Sequence, residues 1–193
     1  QVLEPLRARH PGLKVVFEHI TTKQAAQYVE SADTKRFGAI AATITPQHML
    51  YNRNAIFTGG IRPHYYCLPI LKREEHRQEL VRVAISGNSR FFLGTDSAPH
   101  LKGTKENACG CAGCYTAWHA MPLYAEVFDA ANALNRLEGF ASQFGPDFYG
   151  LPRNTAKLTL RREAQQIPNE FPMGNGTVVP LRAGETIAWS IVG

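Results

Sequence analysis

No apolar run in this chain approaches the roughly 20 residues that a membrane-spanning helix needs, which argues against a membrane protein. The opening residues QVLEPLRARHPGLK hold no apolar signal core, so no secretory leader is expected. Cysteine is scarce. Four in 193 residues make no disulfide framework, and without a leader they suggest a reducing, cytoplasmic compartment where thiols stay free or bind metal. Sixteen glycines and twelve prolines are near the background rate and exclude low-complexity sequence. Charged residues make up only 19% against 44% hydrophobic, the balance of one soluble globular domain and not of a disordered chain or coiled coil. GxGxxG, Walker, HExxH and GxSxG patterns are all missing, which leaves nucleotide cradles and nucleophile elbows without support.

What is present begins with a net charge of +5, which can steer a domain toward anions. The cations are scattered, however. Lys72, Arg73 and Arg77 alternate with Glu74, Glu75 and Glu79, the pattern of a solvated helix face, and no nucleic-acid partner is expected.

Residues 13–17 (LKVVF) form a short apolar run with β-branched members, the pattern of a fully buried parallel strand, and it ends at Glu18 and His19. Thr21 and Gln24 then stand at capping-box spacing, which predicts a helix to about Glu30. Residues 39–45 (AIAATIT) read as a second strand, stopped by Pro46. A long connection over 47–69 leads to a helix over 71–86 with Val81, Ala84 and Ile85 inward, and 90–93 (RFFL) read as a third strand ending in Gly94-Thr95-Asp96. An irregular stretch over 97–115 follows, then a helix from about Met121-Pro122 carrying Leu123, Val127, Ala131 and Leu134, and a shorter one over 137–144. Past Gly145-Pro146, residues 158–162 and 186–191 alternate with a period of two, placing Ile187, Trp189 and Ile191 on one side of a small β appendage. The expectation is a single domain over 1–193, with βα units to 145 and a helical and β appendage over 146–193. Strand, loop and helix repeated three times is the pattern of an α/β protein with a parallel sheet, in which chemistry gathers at the carboxyl ends of the strands. A complete barrel has eight strands, so the chain has the look of the back part of a larger one, with its opening helix-like segment (2–9) entering mid-fold.

Several side chains could carry chemistry. His19 at a strand end can pack there or hold a divalent metal. Asp96, in GTDSAPH, can order a turn or reach a metal or water, and His100 can be solvated or clamp an anion. Cys109, Cys111 and Cys114 form a CxCxxC cluster that is either a tight loop or, with Cys67, a zinc or iron–sulfur site. His64, between Arg62 and Tyr65, could neighbour an anion site. His48 and His119 read as surface or packing residues, and His10 and His76 as solvated.

Taken together, FEHITT (17–22), ATITPQH (42–48), RPHYYCLPILK (62–72), FLGTDSAPH (92–100) and CGCAGC (109–114) closely resemble the bacterial dihydroorotases of the short, monofunctional class within the amidohydrolase superfamily. FYGLP (148–152) and the closing VVPLRAGETIAWS extend the likeness to the end of the chain. The resemblance implies strands six to eight of a TIM-type β/α barrel and a cytoplasmic enzyme of pyrimidine biosynthesis. Its reaction would be the reversible cyclisation of N-carbamoyl-L-aspartate to L-dihydroorotate at two zinc ions. It implies that His19 and Asp96 are metal ligands and that Asp96 is also the general acid/base. His100 would bind the substrate carboxylate, and the Leu68 and Ala112 backbones the pyrimidine ring. Zinc suits such a reaction because it lowers the pKa of a bound water from 15.7 toward about 7 and polarises a carbonyl. A homodimer is the assembly the family commonly forms.

The family pattern also requires a HxH pair, a carboxylated lysine bridging the metals, a further histidine, and an arginine and asparagine for the substrate carboxylate, all on earlier strands. None lies in this chain, so these residues alone are expected to be inactive. The competing expectation is a non-catalytic zinc-binding or interaction domain built on Cys67, Cys109, Cys111 and Cys114.

Overall fold

The computed structural model describes residues 2–192; Gln1 and Gly193, the ends of the expected 1–193 domain, lie outside the described residues. The chain opens with helix α1 (Leu3–Arg9) and continues through strand β1 (Val15–Phe17), helices α2 (Lys23–Ser31) and α3 (Thr34–Phe37), and strand β2 (Ile40–Ile44). A short helix α4 (Pro46–Leu50) and two 3₁₀ turns (Arg53–Ile56 and Pro63–Tyr65) fill the connection to helix α5 (Glu74–Ile85) and strand β3 (Phe91–Leu93). All pairing in this sheet is parallel, in the order β1-β2-β3, with Phe17 opposite Ala42 and Ile44 opposite Leu93. The carboxyl ends of the three strands therefore lie along one edge.

Only the central strand is buried through: Ile40, Ala41, Ala42 and Ile44 are closed off, whereas Val15, Val16 and Phe17 are half-exposed. The apolar run at 13–17 predicts full burial, but β1 has a strand neighbour on one side alone among the described residues, and Leu13 is exposed. Helices α2 and α5, with α7 (Ala120–Ala130), close the main core around Val29, Leu80, Val83, Phe91, Tyr124 and Phe128. Arg7 is fully buried as well. Its Nη2 donates to the Gly38 carbonyl at 2.9 Å, which ties α1 to the approach of β2.

Local capping differs from expectation in one respect. Thr22, not Thr21, caps α2, its hydroxyl accepting from the Ala25 amide at 3.2 Å. The shift moves Gln24 off the capping-box position, and Thr21 is buried instead. Helix α7 follows the short helix α6 (Lys102–Lys105), begins one residue before the expected Met121, and ends before Asn132, whose φ of 53° stops it. Leu134 accordingly falls in a separate 3₁₀ turn (Leu134–Arg136), and the helix expected over 137–144 forms with a π-helical turn (Gly139–Gln143) and runs on as α8 (Phe144–Tyr149) across Gly145-Pro146.

The appendage is richer than its alternation suggests. Strands β4 (Thr159–Arg161), β5 (Gln165–Gln166), β6 (Phe171–Met173), β7 (Gly176–Val178), β8 (Thr186–Ile187) and β9 (Ser190–Val192) pair antiparallel as β4·β9, β5·β8 and β6·β7, three nested ribbons. The expected strand over 186–191 is broken between β8 and β9, so Ile187 and Trp189 are buried while Ile191 turns to solvent. Ile187 packs with Ile167, Leu181, Leu123, Tyr65, Cys67 and Cys114, and this second core ties the appendage to the loops above the sheet. Among the described residues no helix is long and apolar enough to cross a membrane.

Candidate active site

His19 and Asp96 stand just beyond β1 and β3, on either side of β2, and both have left-handed backbones, φ 42° and 43°. A non-glycine residue in that region costs of order 1–2 kcal/mol, and such strain persists only where the surroundings over-determine it. Thr43 of β2 supplies that constraint. Its hydroxyl accepts from the His19 amide at 2.7 Å, and its carbonyl accepts from the Ile20 amide at 3.0 Å. On its other side it closes against Gly94, where an added Cβ would stand 2.5 Å from the Thr43 Cβ. One side chain thus wedges both strand-end turns. Sequence reading missed it, and its sole signal was a polar residue inside an otherwise apolar strand.

The remaining expected residues come in on two loops. Pro69, next to Leu68, lines an open groove of about 490 Å³ together with Phe17, His19, Thr21 and Thr22. Buried His48 anchors the chain at Pro69: its Nε2 donates to the Pro69 carbonyl at 2.7 Å while its Nδ1 accepts from the Thr45 hydroxyl at 2.6 Å. The CGCAGC loop folds against the strand-three turn. His100 Nε2 donates to the Ala112 carbonyl at 3.0 Å, and the Ala98 amide to the Cys114 carbonyl at 3.0 Å. Gly113 has φ 153° and no room for a side chain, since a Cβ there would come within 2.7 Å of Ala98. The Gly113 amide then donates to the Tyr66 carbonyl at 3.0 Å, joining the Ala112 loop to the segment that carries Leu68. Among the described residues neither the Leu68 amide nor the Ala112 amide has a hydrogen-bond partner.

The cysteines do not assemble into a metal centre. All four are free, Cys67 and Cys114 buried and Cys109 exposed, and among the described residues no three His, Cys, Asp or Glu side chains are placed to hold a metal ion. Cys67 and Cys114 instead form a close thiol pair. Hydrogen bonding with Cys114, helped by His48, pulls the Cys67 thiol below its ordinary range, and the same contact pushes Cys114 up. Ser97, next to Asp96, bridges to Cys114, which brings the strand-three turn alongside the loop that carries Ala112. The quartet falls apart because two thiols are consumed as core and Cys109 sits at the loop tip.

Other histidines are accounted for locally. His64 Nε2 meets the Glu106 carboxylate at 2.8 Å, and Arg62, stacked 3.6 Å above the Tyr65 ring, pairs with Glu185, so no anion site opens there. His76, expected in solvent, is half-buried and accepts from the Lys23 amide at 3.1 Å at the start of α2. His119 is buried, its Nε2 donating to the Leu181 carbonyl at 2.9 Å.

For a metal, the chain offers a partial donor set. His19 Nδ1 is buried with no hydrogen-bond partner, as a ligand nitrogen lacking its metal would be, and Asp96 adds an oxygen donor. That chemistry fits zinc, but catalytic zinc sites draw three protein ligands and these are two.

No protein-family model matches the chain. Over 189 residues it is 69% identical to the dihydroorotase of Cupriavidus pinatubonensis, a match covering 98% of this chain and 54% of that protein. It superposes with a TM-score of 0.86 and 32% identity on a crystal structure of dihydroorotase from Saccharomyces cerevisiae in complex with 5-fluoroorotic acid, covering 98% of this chain and 54% of that one. L-hydantoinase (dihydropyrimidinase) from Arthrobacter aurescens matches with a TM-score of 0.75 at 14% identity over 93% of this chain and 42% of its own, which speaks to fold alone. The parallel sheet and its helices are thus part of a TIM-barrel amidohydrolase fold.

Proposed function

The chain belongs to the dihydroorotase family, spanning about half the length of the curated relatives it matches, and from that premise we propose that it carries part of a zinc-dependent active site. The reaction would be the reversible cyclisation of N-carbamoyl-L-aspartate to L-dihydroorotate in pyrimidine biosynthesis. The observation that carries this reading is the placement of His19 and Asp96 in matched left-handed turns on one sheet edge, held apart by Thr43.

His19 and Asp96 would hold the metal from this side, the other ligands coming from residues outside the chain. Zinc, when bound, supplies Lewis acidity that activates water and polarises the ring carbonyl. Asp96 takes the proton released as water attacks and delivers it to the departing ring nitrogen; in cyclisation the same proton moves the other way. His100 keeps Nε2 on the Ala112 carbonyl, leaving Nδ1 for the substrate carboxylate, a contact it makes as a donor when both nitrogens carry protons. The unpartnered Leu68 and Ala112 amides suit the polar edge of the ring. A homodimer belongs to the same proposal.

In the full-length protein, His19→Ala and Asp96→Ala should each lower kcat/KM for L-dihydroorotate by at least about 10³, while the 193-residue chain alone shows no turnover. Near-normal activity of either variant, or turnover by the isolated chain, would overturn the proposal.

A further inference from the structure

Lys105 is 3% exposed and faces no carboxylate. Its ammonium donates instead to three backbone carbonyls: Gly113 at 2.6 Å, Cys111 at 2.7 Å and Tyr66 at 3.1 Å. An ammonium has three donors, so every one is used. Burial pulls this lysine below its ordinary range, a cost that a hydrocarbon side chain at the same place would avoid.

The three acceptors are not scattered. Cys111 and Gly113 flank Ala112, and Tyr66 lies two residues before Leu68. The ammonium therefore sits at the junction of the two segments whose amides are left unpartnered, and the Cys111 amide returns to the Thr104 carbonyl of α6 at 3.1 Å. With both neighbouring carbonyls turned toward Lys105, the Ala112 peptide is held between them, its carbonyl on His100. Loops otherwise move on nanosecond to microsecond timescales; a charge-assisted three-way bond suppresses that locally.

We infer that Lys105 is a positioning residue for ring binding, setting the spacing between the Leu68 and Ala112 backbones from behind the site. The inference rests on the dihydroorotase reading of that site. Lys105 donates to these three carbonyls and makes no hydrogen bond to His19 or Asp96, so its loss acts on binding and leaves the proton transfer at Asp96 in place.

The test is Lys105→Met in the full-length protein, which keeps the unbranched stem and removes the donors. KM for L-dihydroorotate should rise about tenfold, the worth of roughly one hydrogen bond, with kcat within about threefold and bound zinc unchanged. Lys105→Arg keeps the charge and gives a second variant should the first not fold. Its planar fork cannot converge on three carbonyls, and it should raise KM by several-fold. An unchanged KM in a folded variant, or a fall in kcat at unchanged KM, overturns the inference. A wild-type protein without dihydroorotase turnover overturns the parent reading and this inference with it.

Discussion

Replacing Thr43 with valine isolates one atom of the site. The substitution keeps the β-branched shape that suits the central strand and the close approach to Gly94, and it keeps the carbonyl that accepts from Ile20. It removes the hydroxyl that accepts from the His19 amide at 2.7 Å. Leaving this part-buried donor unpaired costs about 1–3 kcal/mol, and the loss also frees a residue held at φ 42° to relax toward ordinary backbone. At roughly 2–4 °C per kcal/mol for a domain of 150–250 residues, and less in a longer chain, Tm should fall by ~4 °C. On the proposed role of His19 the functional effect should be larger, because a misplacement of about 1 Å at a reacting centre can cost about 10²-fold in rate. Differential scanning calorimetry and steady-state turnover of the full-length variant measure both. Thr43→Ser, which restores the oxygen, should recover most of the activity. A valine variant with wild-type kcat/KM, or a serine variant as impaired as valine, would refute the wedge.

Two further outcomes follow from buried groups. His119 is held down to about 4 by burial, which outweighs the Leu181 carbonyl that accepts from Nε2 and favours the protonated ring; its Nδ1 is enclosed without a partner. The unfolded chain takes a proton near pH 6.5 while the folded one refuses it, so this contribution is complete above about 6.5 and is lost as pH falls toward 4. It amounts to about 3 kcal/mol, and His119→Gln should flatten urea-unfolding stability over that window; an unaltered slope would refute the assignment. Cys109, exposed at the loop tip, should alkylate rapidly in the native protein, while Cys67 and Cys114 stay unmodified until it unfolds. Peptide mapping reads this directly, and early labelling of Cys67 would contradict the buried thiol pair.

What sequence reading recovered, and what it did not, sorts by the range of the interaction. The apolar runs before His19, Thr45 and Asp96 mark the parallel strands because burying an apolar strand demands contiguous residues, and the polar residue after each run marks a carboxyl end. The motif likeness implied substrate-binding roles for Leu68, His100 and Ala112, and in the structure the loops that carry them meet through Gly113 and Tyr66.

Tertiary structure alone decided the rest. Whether a strand is buried through or half-exposed depends on its neighbour, so Leu13 and Ile40 look alike in sequence yet are 42% and 1% exposed. Ribbons of two or three residues are too short to show a period, which hid β5, β6 and β7. The cysteine spacing was compatible with a metal cluster until packing drew Cys67 and Cys114 into the core. His48 on Pro69, Thr43 on His19 and Lys105 on three carbonyls join groups tens of residues apart, or backbone atoms that every residue possesses. Such bonds leave no local pattern, because they exist only once the chain has brought their partners together.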